Sequence, residues 1–419
     1  MPAVFRNLPV LLTFFAACAL YAEEPSTPAR VPPRNPVPYA DVQWDSVRRV
    51  ASTSHAHIGT QATLDRAYED GLRFFTISNY YPSAPWWPLA DIRTNQFRAG
   101  QEHGVMVRGE FKNGPFDWNA VLQDPETGWA GGLPDDLRSQ IPFVVGGQVF
   151  TNIPGDILEA PNAEHHSFTD TQLHLCAPGS AFRSGNFDAR NRFKLVDHGY
   201  AMGVARPWKE AFALILGGLI VPDGGGVTIN HPVWSKLSRE DVIEMLDFDP
   251  RVLGIEVFNH TCALQQESKS CAEDETFWNA VLATGRQCFG FFVPDHGINA
   301  SDGDWQGRNI LLVDAFTVED CLRAYRKGRF YGALLGSGLA FTKIAAEPDR
   351  VTVETNGANR INFITETGVA LEVEQPSAVF RVPQTADGQP GVAFVRVKAY
   401  DAQGETLFSQ PMVYAPKPE

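Results

Sequence analysis

Positive charge is in short supply in this sequence. Its 419 residues carry 35 Lys and Arg against 49 Asp and Glu, a formal charge of −14, so no general basic field exists to hold nucleic acid or anionic lipid. An anionic substrate needs a local positive source, and a metal ion is one. Cysteine is sparse too: six are present, none in Cys-x-x-Cys spacing, which argues against thiolate zinc sites. Cys262 and Cys271 bracket a short polar stretch, and either a loop-closing disulfide or two unpaired thiols fits that spacing. Long apolar runs are missing as well. Residues 8–20 form too short a run to span a bilayer comfortably, and residues 211–221 are cut off by Pro222-Asp223, so no transmembrane segment is expected. Gly224-Gly225-Gly226 is followed by neither Lys-Ser nor Lys-Thr, which excludes a phosphate loop and leaves a tight turn.

What is present supports a folded chain. With 44% hydrophobic and 20% charged residues it can bury a substantial core. Arg6, the apolar run at 8–20 and Tyr21-Ala22-Glu23 read as a secretory signal over residues 1–22, which predicts an exported protein, periplasmic or secreted. Cys18 after Phe15-Ala16-Ala17 admits a lipoprotein as the alternative. Residues 23–44 hold six prolines, Pro25 to Pro38, and read as an extended leader. From 45 to 338 helix-like and strand-like stretches alternate. Helices are expected over 64–71, 96–104, 208–219, 238–246 and 277–285, with strands at 74–77, 105–107, 227–229, 253–257 and 288–293. That alternation predicts a parallel α/β architecture, in which polar residues at strand C-terminal ends tend to be functional. Residues 339–419 instead read as short strands separated by Asn356-Gly357, Asp387-Gly388 and Gln403-Gly404, the pattern of a small antiparallel β-sandwich.

The ten histidines are distributed unevenly. His55-Ala56-His57 has period two, so on a strand both imidazoles share a face and can chelate one cation. His231 in Thr-Ile-Asn-His-Pro and the pair Asp295-His296 follow apolar strands, Glu110 ends another, and His174 lies on a short apolar run just after Glu164-His165-His166. Any one of these is more often a satisfied structural residue than a ligand, and His103, His198 and His260 are read that way. Taken together, His55, His57, Glu110, His174, His231, Asp295 and His296 predict a metal site at the mouth of an α/β barrel. Imidazole with carboxylate suits zinc, manganese or iron.

The ordered set resembles the PHP (polymerase and histidinol phosphatase) superfamily of metal-dependent phosphoesterases. The set runs His-x-His, Gly-Glu after a strand, a later His, Asn-His-Pro, then Asp-His. The resemblance covers residues 52–338, and the segment around Thr317-Val318-Glu319-Asp320 and Arg326-Lys327-Gly328-Arg329-Phe330-Tyr331 is similar to the one by which exported members close the barrel before a C-terminal β-domain. It implies a distorted (β/α)7 barrel in which His55 and His57 hold one divalent metal and Glu110 bridges to a second. His174, His231, Asp295 and His296 would complete the cluster, and His166, or its neighbour His165, would protonate the leaving group. The implied reaction is hydrolysis of a small-molecule phosphoester or similar ester by metal-activated hydroxide. The chain departs from the family pattern at Ser78-Asn79-Tyr80, where members carry Thr-Asp-His, and in the adjacency of Asp295 and His296. Those departures reduce the implied cluster to one or two ions. They also motivate an alternative: a catalytically weakened PHP-like protein that binds a metal or ligand and docks through its β-domain.

Overall fold

In a computed structural model, residues 37–58, 60–78, 150–166, 168–182, 207–264, 274–299, 306–334 and 338–414 are described in full. For four short strands within the remainder, Arg93–Phe97, Phe143–Gln148, Leu195–Val196 and Gly199–Tyr200, the backbone alone is described.

Among the described residues, fourteen strands lie up to residue 334. In chain order they are β1 (Arg48–Thr53), β2 (Leu72–Phe75), β3 (Arg93–Phe97), β4 (Phe143–Gln148), β5 (Leu158–Glu159), β6 (Glu164–His165) and β7 (Leu175–Cys176). They continue with β8 (Leu195–Val196), β9 (Gly199–Tyr200), β10 (Val227–Ile229), β11 (Val252–Asn259), β12 (Phe289–Val293), β13 (Arg308–Val313) and β14 (Phe330–Leu334). Eight follow: β15 (Ala340–Glu347), β16 (Arg350–Asn356), β17 (Arg360–Thr365), β18 (Gly368–Val373), β19 (Ser377–Arg381), β20 (Phe394–Tyr400), β21 (Thr406–Ser409) and β22 (Met412–Val413). The large sheet runs β18-β17-β20-β21-β14-β13-β1-β2-β5, and a second sheet runs β12-β11-β10-β7-β6.

The second sheet carries the deepest strand. All eight residues of β11 are buried, and at Gly254 an added Cβ would sit 1.9 Å from the Phe289 carbonyl oxygen, so only glycine lets β12 approach. Short helices supply the rest of the core. Trp208–Gly217 packs Trp208, Ala211, Phe212 and Ile215 inward. Arg239–Phe248 begins with a capping box in which the Ser238 hydroxyl and Asp241 satisfy each other's backbone N–H groups.

The architecture is mixed α/β, and three expectations require correction. The sheets are not wholly parallel: β1–β2–β5 and β10–β11–β12 are, but β1 pairs antiparallel with β13 and β10 with β7. The helix expected from Gln96 does not start there, since Gln96 and Phe97 lie in β3, paired with β4; residues 98–107, with the rest of that helix and the next expected strand, lie outside the described residues. The described strands also do not close into a (β/α)7 barrel. The reason lies on the free edge of β12. Gly290 N–H donates to Gln410 Oε1 at 2.8 Å, the Gln410 amide donates back to Gly290 O at 2.8 Å, and Phe292 N–H donates to Asn309 Oδ1 at 3.1 Å. Side-chain amides therefore take the places a ladder to β13 would occupy. Only at its far end does β12 continue into a main-chain bridge, Ala56 with Asp295.

Beyond residue 339 the chain is antiparallel. β15-β16-β19 form a three-stranded sheet whose Phe341, Ile344, Val351 and Phe380 share a core with Phe363, Val395 and Val397 of the large sheet, two facing layers as in a sandwich. The large sheet crosses from one region to the other where β21 pairs β14.

Candidate metal centre

The strand ends deliver the site. Just past β1, His55 and His57 flank Ala56, whose bridge to Asp295 fixes the two chain segments side by side: Asp295 N–H donates to His55 O at 3.1 Å. Asn162 holds the neighbouring ends together, donating to the carbonyls of Ser54 and Thr76 and accepting from Ala177 N–H. Glu164 begins β6, its N–H tied to Ser78 O at 3.0 Å. His231 follows β10 and Asp295 follows β12, both with left-handed backbone, φ 26° and 53°. For residues with a Cβ that conformation is strained, and it persists only where the surroundings over-determine it.

Four donor atoms converge. His55 Nε2 lies 3.2 Å from His57 Nε2, 3.3 Å from Glu164 Oε2 and 3.3 Å from Asp295 Oδ1. His57 Nε2 lies 3.0 Å from Glu164 Oε2 and 3.4 Å from Asp295 Oδ1. Ligands about 2.0–2.1 Å from a tetrahedral ion stand about 3.3–3.4 Å apart, so these spacings fit a small divalent cation. The other oxygen of Glu164 faces a second group: Oε1 lies 2.9 Å from His174 Nδ1 and 3.5 Å from His231 Nε2. His55, His57 and Glu164 form one group that could hold a metal ion, and Glu164, His174 and His231 form another. Nitrogen with hard oxygen donors and, among the described residues, no thiolate in the groups suits zinc, manganese or iron.

Behind these atoms stands a further layer. Glu256 accepts from His231 N–H at 2.9 Å and faces His55 Nδ1 at 2.7 Å; Asn259 donates to both Glu256 and Asp295; Ser235 Oγ lies 3.2 Å from His231 Nδ1. Trp234 makes edge-to-face ring contacts with His231 and His174. The His296 ring stacks on His57 at 3.7 Å, interplanar angle 8°.

The charges of the cluster are strongly coupled. Burial opposes protonation of His55, yet Asp295, Glu164 and Glu256 outweigh it and hold the imidazole well above its ordinary range. Burial pushes Glu164 up, but His55, His174 and His231 hold it well below the carboxylate range, and Asp295 falls to about 2 for the same reason, with His55, His296 and His57 as its partners. His165, by contrast, is driven down to about 3 by burial, and His296 to about 4 by burial and by His57.

Of the residues singled out from sequence, His55, His57, His174, His231, Asp295 and His296 come together. His166 lies beside them, its ring 5.3 Å from that of His174. Glu110 lies outside the described residues, as do His103, His198 and Cys271; Cys262 is buried. His260 accepts from Gln306 N–H at 2.6 Å and belongs to none of the candidate metal-holding groups, in keeping with a structural role. Sequence reasoning missed Glu164, Glu256, Asn162 and Asn259. The available signals were an acid leading a pair of histidines and a single carboxylate inside the otherwise apolar run of β11.

No family model and no curated protein sequence matches the chain. Among solved structures, the chain is similar to a two-domain protein containing a predicted PHP-like metal-dependent phosphoesterase from Bacteroides vulgatus ATCC 8482, at 12% identity over 91% of this chain and 98% of that one, with a TM-score of 0.35. A likeness that distant assigns neither fold nor function, and the chemistry of the site rests on its own geometry.

Proposed function

We propose that the chain is an exported metal-dependent hydrolase of phosphoester, or chemically similar ester, bonds in small molecules. One observation carries the reading: Glu164 places its two carboxylate oxygens in two different histidine groups, the arrangement by which one side chain bridges a pair of ions. His55, His57 and Asp295 would hold one ion with Glu164, and His174 and His231 the other. When bound, a metal pair supplies Lewis acidity and a nucleophile at neutral pH, and it provides the positive charge that a chain of net −14 otherwise lacks. The chain's own residues do the remaining work. Asn259 and the Ala56–Asp295 bridge orient the carboxylate of Asp295. The walls are buried, which excludes bulk water and strengthens each charge contact. His166, buried beside His174, is the candidate to carry a proton to the leaving group.

Metal analysis of the purified protein tests the reading. One or two zinc, manganese or iron ions per chain are expected, with turnover of an aryl phosphomonoester, phosphodiester or carboxyl ester. Turnover, and the ion that His55 and His57 would hold, should be lost in the His55→Ala, His57→Ala double variant. A folded wild-type protein that takes up no divalent metal sinks the proposal. Export is tested by sequencing the N-terminus of the secreted product, with cleavage expected after Ala22.

A further inference from the structure

One buried carboxylate touches none of the donor atoms' inner faces, yet contacts both histidine groups from behind. Glu256 sits in the middle of β11, 2% exposed, in a strand whose other residues are apolar or amide. Its Oε1 lies 2.7 Å from His55 Nδ1. Its Oε2 accepts two hydrogen bonds, from His231 N–H at 2.9 Å and from Asn259 Nδ2 at 3.0 Å, and the same Asn259 amide donates to Asp295 Oδ2 at 3.1 Å. We propose that Glu256 is the positioning residue of this centre: it fixes the proton of His55 on Nδ1, so that Nε2 turns its lone pair inward, and it locks the backbone of His231 and the side chain of Asp295 in register with it. The inference rests on the metal reading above and deepens it.

The donors and acceptors around Glu256 leave one assignment. A carboxylate only accepts, so a contact of 2.7 Å to Nδ1 requires that nitrogen to carry hydrogen. A neutral imidazole has one N–H, and placing it on Nδ1 leaves Nε2 as the acceptor that a metal needs. The oxygen on the other side also faces donors alone. Glutamine has the same shape and cannot satisfy both sides. With its carbonyl towards His55, its NH2 meets the His231 N–H and the Asn259 amide, donor against donor. Turned round, the NH2 donates to Nδ1, which moves the ring proton to Nε2 and points it at the metal position. The β11 location makes the arrangement stiff, since a strand buried over its whole length has little room to shift.

The test uses Glu256→Gln in the full chain. Zinc titrated calorimetrically into metal-free protein should bind about 10–100-fold more weakly than to wild type, while the far-ultraviolet spectrum and the cooperative unfolding transition persist. In wild-type protein selectively labelled at histidine nitrogen, His55 should show a hydrogen-bonded Nδ1 proton with zinc bound, absent from the variant. Zinc affinity within about twofold of wild type, with that proton signal unchanged, overturns the proposal. The signal can also be read in the unloaded wild type. If no zinc binds there at all, the metal reading fails, and a slowly exchanging Nδ1 proton that disappears in the variant still supports the Glu256 contact. Its absence from wild type overturns it. Should the variant not fold, this wild-type resonance decides alone.

Discussion

A carboxylate has two oxygens, and Glu164 spends them in different directions. Oε2 meets His55 and His57, whereas Oε1 meets His174 and His231. Asp295 turns Oδ1 to His55, His57 and the His296 N–H, and its other oxygen accepts from Asn259. These two acids should therefore fail differently. Glu164→Ala is expected to remove both ions and lower kcat/KM by at least about 1000-fold, a loss of about 4 kcal/mol of transition-state stabilisation. Asp295→Ala is expected to leave the ion held by His174 and His231 in place; metal content per chain, measured after dialysis, separates the two outcomes. Such a division could not be read from the sequence. The histidines were legible because His-x-His and Asn-His-Pro are rare patterns at strand ends. Glu164 was not singled out, because an acid leading a pair of histidines is a weak local sign and its place between two histidine groups is set by contacts from distant strands. The bridging role that the resemblance gave to Glu110 thus has a candidate 54 positions later, a difference of 164 − 110 in the numbering.

Elements were easier to foresee than their partners. The strands at β10, β11 and β12 and the helices at Trp208–Gly217 and Arg239–Phe248 lie close to where periodicity put them, and Gly357, Gly388 and Gly404 adopt the positive φ that their turns require. Strand direction was not legible, since alternating helix and strand predicts parallel pairing only when consecutive strands become neighbours, and β13 inserts itself beside β1 instead. Helix ends offer a separate test. Asp274 caps Glu275–Leu282 by accepting from Phe277 N–H, while its second oxygen is buried with no hydrogen-bond partner among the described residues. Burial pushes this carboxyl up to about 6 despite the Phe277 bond. A group that binds its proton more tightly when folded stabilises fully below the unfolded carboxylate range, and the contribution is lost as pH rises through the folded value. Asp274→Asn keeps the accepting oxygen and removes the charge. Its melting temperature should exceed that of wild type at about pH 8 and converge with it at about pH 3, followed by thermal unfolding across that range.

At the scale of the whole molecule, the C-terminal strands are built into the α/β region at several points. Arg396 of β20, 1% exposed at its side chain, pairs with Glu275, donates to Asn279 and lies over the ring of Trp278. Lys398 adds a second contact to Glu275. Arg396→Met removes one buried ion pair and the Asn279 contact while Lys398 still faces Glu275, so it should lower stability by about 1–3 kcal/mol, measured by urea unfolding, with zinc affinity in the surviving folded fraction unchanged. From the opposite terminus Tyr39, buried, donates to Phe330 O and accepts from Gln410 N–H. That contact bears on the open side of β12. An edge strand with bare amides is a template on which another molecule can add a strand and begin to aggregate. Asn309 of β13 and Gln410 of the C-terminal stretch fill those positions between them, so a protein that lost the segment from Gln410 onward would bare the Gly290 N–H and carbonyl to such pairing while Asn309 still held Phe292 and every histidine and carboxylate of the centre stayed in place.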